Sequence, residues 1–479
     1  MTIAAALLIG MASTAHAADA VHEYVVTVDG DLARLHVDAR FAHRVTSVSA
    51  RSRNSARYLA EVGGCEEQPG IRLRNRRLML PQQGIECLNY TFDLGRAAQA
   101  VRNNRTLDER NIIVSSSYWL WRPELFNGTR IRIAFDLPDG LRVSVPWTPV
   151  DDAPDTYLLG RSPESANAPV VFGRFDYREL EVPGATLRVS LLHGGQPMRN
   201  DAIANWIQAT ATDVSLAYGR FPNPSPQVVV IPVGSARGSG RSAVPFGRVV
   251  RDGGESVELF VDQSRSLDEL LADWTATHEF SHMMVPYIHR EHRWISEGFA
   301  QYYQNVLLTR AGAYDERHAW QKLYEGYERG RRSRPELSPN EASAGRVRSS
   351  LMKVYWSGAA LALMADVELR ARSNGETSLD TVLEEFQQCC LPSATVWSGQ
   401  EFFARLDSFV ETPVFMPLYR RYADTAGFPD VSETFARLGV VVDDGRVRLK
   451  NNAALSALRR DITRLDSATA RWRAELATD

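Results

Sequence analysis

The sequence predicts a multidomain α+β protein, with an all-β N-terminal domain, an α/β domain in the middle and a helical C-terminal domain. Three observations predict it. From Val21 to about Leu191 apolar residues alternate with polar ones, the period of half-buried strands. After Gly194-Gly195-Gln196-Pro197 the period lengthens to about 3.6, and from Lys353 to about Leu438 the helical pattern dominates. The expected domains are 18–192, 193–345 and 346–447, preceded by an export signal over 1–17 and followed by an amphipathic helix over 448–479. A chain of 479 residues has room for about three domains, and 44% hydrophobic with 24% charged residues is ordinary for a globular protein.

At the start, Ile3 to Ala12 form a short apolar run and Ala15-His16-Ala17 reads as a small-residue cleavage site. A periplasmic or secreted location is therefore expected. The run is shorter than the roughly 20 residues that cross a bilayer, and no later run qualifies, so no membrane anchor is expected after cleavage. Val26 and Val28, the Asp29-Gly30 turn, then Leu35 and Val37 predict one hairpin. Ile131, Ile133 and Phe135, the Pro138-Asp139-Gly140 turn, then Leu141, Val143 and Val145 predict a second. Export permits disulfides, and a Cys65–Cys87 bridge would stabilise by about 3 kcal/mol if unstrained. Cys389 and Cys390 are adjacent, which leaves a vicinal bridge open, and no cysteine spacing suggests a metal site.

In the middle, Asn200 can cap a helix buried through Ile203, Trp206, Ile207 and Val214. Val228 to Ile231 predict a buried strand, and Gly238 to Val250 with Ser256 to Val261 a strand pair. Gly234-x-x-x-Gly238-x-Gly240 lacks the Gly-Lys-Ser/Thr of a phosphate loop and reads as a turn. Ser266 and Glu269 make a capping box, Leu267, Leu270, Leu271 and Trp274 an apolar stripe, and Pro286 a stop. One helix is thus expected to carry His278-Glu279-Phe280-Ser281-His282. Residues four apart on a helix sit one above the other, so His278 and His282 present two imidazoles to one cation with Glu279 beside them. Catalytic zinc usually takes three protein ligands and leaves a fourth position for water. Glu297 is the candidate for the third, from the first turn of a helix capped by Ser296 and closed by Gly312. One Zn2+ per chain is the expected cofactor.

His278-Glu279-x-x-His282 followed by Trp294-x-x-Glu297-Gly298-x-Ala300 resembles the gluzincin zinc metallopeptidases of the peptidase MA-like superfamily, which include thermolysin, aminopeptidase N and the glycyl aminopeptidases. The resemblance is strongest over 266–312 and thinner over 353–366. It implies a thermolysin-like catalytic domain, a helical domain closing the cleft, and a peptide or protein substrate paired along an edge strand. It also implies His278, His282 and Glu297 as zinc ligands, Glu279 as general base, and a tyrosine that hydrogen-bonds the tetrahedral intermediate. That tyrosine belongs to a Tyr-x-Lys-Gly segment, matched here by Tyr355-Trp356-Ser357-Gly358, with Ser in place of Lys. Tyr355 is the candidate, with Tyr302 or Tyr303 as the fallback.

The chain departs from aminopeptidase N relatives in two ways: the spacing from His282 to Glu297 is shorter, and no Gly-x-Met-Glu-Asn segment supplies a glutamate for a free substrate amine. Exopeptidase activity therefore finds no support in the sequence, which leaves endo- versus exo-cleavage open, and Glu255, a weak substitute for the missing glutamate, reads first as a solvated turn residue. No PDZ module of the glycyl aminopeptidase kind is expected after the helical region. A catalytically silent peptidase-like protein that binds peptides or a partner protein would keep the same ligands, and is the alternative.

A net charge of −3 gives no basic footprint for nucleic acid. Arg329-Gly330-Arg331-Arg332-Ser333-Arg334 reads as a solvated loop, whose place between the ligands and Tyr355 would let it border the cleft and favour acidic substrates. His289 and His292 read as exposed loop histidines. Leu455, Leu458, Ile462, Leu465, Trp472 and Leu476 predict one amphipathic helix packed on its own body.

Overall fold

Alternating apolar residues zip the first hairpin as expected: Val21–Val28 and Arg34–Val45 pair antiparallel, with Val26 opposite Val37 and Val28 opposite Leu35. In this computed structural model the described residues are 20–64, 70–100, 105–107, 111–125, 128–160, 169–193, 200–233, 242–345 and 348–477. The expected signal segment, Cys65, and the glycine-rich stretches 194–197 and 234–240 lie outside them. The hairpin sits within a seven-stranded sheet whose inward side chains, among them Tyr24, Leu35, Ile131 and Ile133, are buried.

The second expected hairpin does not form. Arg130–Asp136 runs parallel to Val21–Val28, whereas Arg142–Ser144 pairs with Pro169–Gly173 in a separate four-stranded sheet. The Pro138-Asp139-Gly140 turn is present, with the Leu141 amide donating to the Pro138 carbonyl, but it hands the chain from one sheet to the other. Both sheets line one core around Trp119, Trp121 and Trp147, so the alternation is satisfied by either pairing and does not choose the partner.

A five-stranded sheet leads to the site. Its spatial order is Asp176–Val182, Ala185–Leu191, Gln227–Val233, Glu255–Asp262 and Phe246–Arg251. The first two strands join this sheet rather than the N-terminal β region, where the 18–192 expectation placed them. Their period of two marks them as strands, but Ala185–Leu191 pairs in parallel with Gln227–Val233, a partner far along the chain. The predicted strand pair is present: Phe246–Arg251 runs antiparallel to Glu255–Asp262 and forms the sheet's edge. The tip of this hairpin plugs into the N-terminal region. A Cβ at Gly253 would overlap Leu159, one at Gly254 would overlap the Pro146 carbonyl, and Trp147 Nε1 donates to the Asp252 carbonyl at 2.9 Å.

The capping box of Ser266 and Glu269 forms in both directions, but on a helix covering only Leu267–Ala272. The single helix expected here is two. The Asp273 carboxylate accepts from Ser242 Oγ at 2.6 Å, the Val244 amide at 3.1 Å and the Thr275 amide at 2.8 Å. These bonds break the helix and start another, Thr275–Ser281, called the first ligand helix for the candidate ligand His278 it carries. A 3-10 turn, His282–Met284, continues it. The second ligand helix, Trp294–Arg310, begins two residues before the expected Ser296 cap, and Ser296 Oγ donates back to the Arg293 carbonyl. Gly312, at φ +78°, follows its end as predicted.

Further along, Glu316–Arg332 is a helix that holds Arg329, Arg331 and Arg332 in its last turn, where cations complement the helix dipole. The expected solvated loop is therefore helical over most of its length. Leu351–Arg372, the tyrosine helix, crosses the second ligand helix in backbone contact, since a Cβ on Gly298 or Gly358 would overlap the opposing helix. The tail is two helices, Ser456–Ile462 and Ser467–Leu476, where one was expected. Asp466 separates them, capping the second by accepting from the Thr469 amide at 2.7 Å while its own amide bonds the Arg310 carbonyl. Arg473 then pairs with buried Asp213 and donates to the Leu271 carbonyl, so the tail packs on its own body.

One continuous core links the site-bearing sheet to the helices as far as Ile462. Cys389 and Cys390 are bridged to each other, and Cys87 is disulfide-bonded. No helix among the described residues is long and apolar enough to cross a membrane.

Candidate metal centre

The helix break at Asp273 aims the first ligand helix at the edge strand, and the glycine crossing brings the tyrosine helix up beside it. Between them His278 Nε2 and His282 Nε2 each lie 3.5 Å from Glu297 Oε2. The imidazole planes stand at 90° with centroids 4.9 Å apart, and the donor atoms all fall within 4.8 Å of one another. Ligand atoms about 2.1 Å from a tetrahedral zinc would sit about 3.4 Å apart, so this donor set fits that ion. His278 Nδ1 and Gln304 Oε1 are both buried with no other hydrogen-bond partner, and the two side chains face each other. That arrangement fits a neutral imidazole protonated on Nδ1, facing Gln304, with Nε2 turned to a metal. Gln304 was not foreseen; its signal is the spacing of seven from Glu297 on one helix face.

The charges are strongly coupled. Burial pushes the Glu297 carboxyl up, but hydrogen bonds from the two imidazoles outweigh it and hold the group well below the usual carboxylate range. Burial pushes the His278 pKa down, and Glu297 with Glu279 more than reverses this. Glu279 is raised, chiefly by burial, against the pull of both imidazoles and of the Val249 amide that donates to it. Tyr355 is raised too, first by Glu297 and then by burial, so its hydroxyl stays protonated at neutral pH.

Other residues shape the site. Gly247, on the edge strand, faces Glu279 so closely that a Cβ there would lie 2.6 Å from Glu279 Cγ. Arg251 donates to the carbonyls of His282 at 2.8 Å and Val285 at 3.1 Å, bracing the end of the first ligand segment. Glu255 pairs with that arginine and accepts from Asn223 Nδ2 at 2.7 Å. It is buried on a strand, not the solvated turn residue expected. Neither Arg251 nor Gly247 stood out in the sequence, because their partners lie some thirty residues away.

Of the three candidate tyrosines, Tyr355 lines the cleft, with its ring 5.9 Å from that of His278. Tyr302 and Tyr303 are buried elsewhere, their hydroxyls donating to Asp366 at 2.7 Å and Asp380 at 2.8 Å. His292 Nδ1 accepts from the Gly399 amide and the His289 amide donates to the Trp397 carbonyl, so the loop histidines pin a surface segment. The cleft itself measures about 500 Å³. Phe246, Trp274 and Met352, each more than a third exposed, flank it, and Lys322, Glu325 and Arg329 reach it from the helix Glu316–Arg332.

The family description "M61 glycyl aminopeptidase" matches residues 284–355, a segment that starts just past His282, takes in Glu297 and ends on Tyr355. No curated protein matches the sequence. Among solved structures, an aminopeptidase N family protein from Idiomarina loihiensis is similar with a TM-score of 0.64 at 13% identity, covering 88% of this chain and 79% of that one. The M1 zinc metallopeptidase from Deinococcus radiodurans is similar with a TM-score of 0.52 at 12% identity, covering 86% and 94%. The same values hold for its mutant bound to a Tyr-Ser-Ala substrate. The motif and the matched segment resemble those of gluzincin-type zinc peptidases, and the fold is similar to that of the solved structures. Within that class the matched segment is similar to the glycyl aminopeptidases, and the chain as a whole has an aminopeptidase N-like fold.

Proposed function

We propose that this protein is an exported zinc metallopeptidase that hydrolyses peptide bonds, with its site on a thermolysin-like α/β domain. The observation that carries the reading is the approach of two Nε2 atoms to one Glu297 oxygen, with Glu279 and Tyr355 lining the same cleft. His278, His282 and Glu297 would hold the ion. Zinc bound there supplies a water acidified to a pKa near 7 and polarises the scissile carbonyl. Glu279 takes the water's proton and returns it to the leaving amine, a role worth about a hundred- to ten-thousand-fold in rate. Its raised pKa makes it a better proton acceptor than an ordinary carboxylate. Tyr355 keeps its proton and donates it as a hydrogen bond to the developing oxyanion.

The substrate lies extended along Phe246–Arg251, whose outer edge pairs with no other strand among the described residues. Phe246, Trp274 and Met352 offer apolar contacts to its side chains. Among the described residues, Glu279 and, on the helix Glu316–Arg332, Glu325 are the carboxylates that line the cleft. Export rests on the apolar run and cleavage signal in residues 1–17. N-terminal sequencing of the mature protein from cell fractions tests it, and an intact Met1 in the cytoplasm would refute it.

The test of function pairs elemental analysis with digestion of a mixed peptide library by the wild type and Glu279→Gln. About one zinc in both proteins, with cleavage by the wild type alone, is the expected result. Zinc in both and cleavage by neither would favour a binding protein or a non-peptide substrate, and absence of zinc would remove the metal assignment.

A further inference from the structure

On the peptidase reading of the cleft, we infer that Lys322 and Arg329 recognise a carboxylate on the substrate. The two cations lie seven residues apart on the helix Glu316–Arg332, which puts them on one face, and both line the cleft that holds His278, Glu279 and Tyr355. Neither makes an ion pair among the described residues. The other acidic residues of that helix are engaged elsewhere, Glu328 with Arg331 and Arg332, and Glu316 with Arg459.

What holds the two cations is aromatic. Lys322 Nζ lies 5.0 Å from the Tyr314 ring centroid and Arg329 Cζ lies 5.2 Å from that of Trp356. A ring face fixes a cation without consuming its N–H donors, so the ammonium and the guanidinium edge stay available. Burial and the neighbouring guanidinium together hold the Lys322 ammonium below its ordinary pKa, a strain that a bound anion relieves. Glu325 stands between them on the helix, exposed, and accepts from Gln321 Nε2 at 2.9 Å. It offsets one of the two charges and leaves the other in excess. An acidic side chain and a peptide's C-terminal carboxylate present the same group to this pair, and a cleft of about 500 Å³ has room for either.

The test uses zinc-loaded Glu279→Gln protein and fluorescent peptides in matched pairs. One set carries Asp or Asn at each position in turn with an amidated C-terminus, and the other is an uncharged peptide ending in acid or amide. In one set the carboxylate form should bind about tenfold more tightly, the scale of a charge-assisted contact, and the ratio should fall to about one when Lys322→Met and Arg329→Met are added. The set that responds identifies the source as side chain or C-terminus. Each ratio is taken within one protein, so a general loss of affinity cancels, and thermal melts establish that the variants are folded. Equal affinities within every pair, no binding at all, or a preference that survives both substitutions would overturn the assignment. Failure of the peptidase reading shows separately, as a zinc-loaded wild type that cuts nothing, while the binding ratios remain readable.

Discussion

Glu279 owes its place to the residue opposite it. Gly247 and the Val249 amide are where the edge strand touches the proposed general base, and a methyl group on Gly247 would sit 2.6 Å from Glu279 Cγ. Gly247→Ala should therefore displace the carboxylate while leaving the three ligands where they are. The expected result is a kcat lower by about a hundredfold, since a 1 Å misplacement costs that much, with zinc content unchanged by elemental analysis. A second prediction concerns pH. Burial raises Glu279 above the ordinary 4.5, and a protonated carboxyl cannot accept a proton. The rate kcat/KM should thus fall as pH drops through a midpoint above 4.5, and a pH–rate profile flat down to pH 4 would contradict this assignment. The residues of this first circle were legible in the sequence because HExxH and its distant glutamate carry their spacing with them. Gln304 and Gly247 were not, because they act through proximity that no motif records.

At the level of elements, the site depends on helices that meet without side chains between them. Gly298 follows Glu297 and Gly358 lies one turn past Tyr355, so the crossing that joins these two glycines sets the distance from the candidate metal centre to Tyr355. Gly358→Ala should push the helices apart, destabilising the fold by about 1–3 kcal/mol, the cost of overpacking, and lowering kcat more than zinc affinity. Urea unfolding and steady-state kinetics would read the two effects. Arg251 offers a complementary test. Arg251→Met strands Glu255 as a buried unpaired carboxylate and frees the carbonyls of His282 and Val285, so a loss of about 3–5 kcal/mol in unfolding free energy is expected. Element types were mostly legible in the sequence, and element limits less so. The capping box at Ser266 is real, yet the helix it opens stops at Asp273, whose partners Ser242 and Val244 lie about thirty residues upstream. The arginine-rich stretch reads as loop from its composition, but Asp315 caps a helix that carries it, accepting from the His318 amide at 2.7 Å.

Across the whole molecule, the proposed ligands come from two segments that pack into one core with the sheet and the tyrosine helix. A metal that binds only the folded arrangement stabilises it by mass action, about 4 kcal/mol at a thousandfold excess over Kd. Chelation should lower the melting temperature and added zinc should restore it in a concentration-dependent way, which differential scanning calorimetry would follow. The sheet pairings were the least legible feature, since a period of two marks a strand without naming its neighbour. The edge hairpin shows what those pairings achieve. Its tip, Gly253-Gly254, is clasped by Leu159 and the Pro146 carbonyl of the N-terminal region, while its strand runs back past Glu279. The surface that would receive a peptide is thus moored at one end in a different β region, as a ruler is held by a clamp off the bench. Mutational drift at Pro146 or Leu159, far along the chain from any proposed ligand, would be felt as a change in substrate alignment, which puts those positions beside the proposed metal ligands on the functional map of this protein.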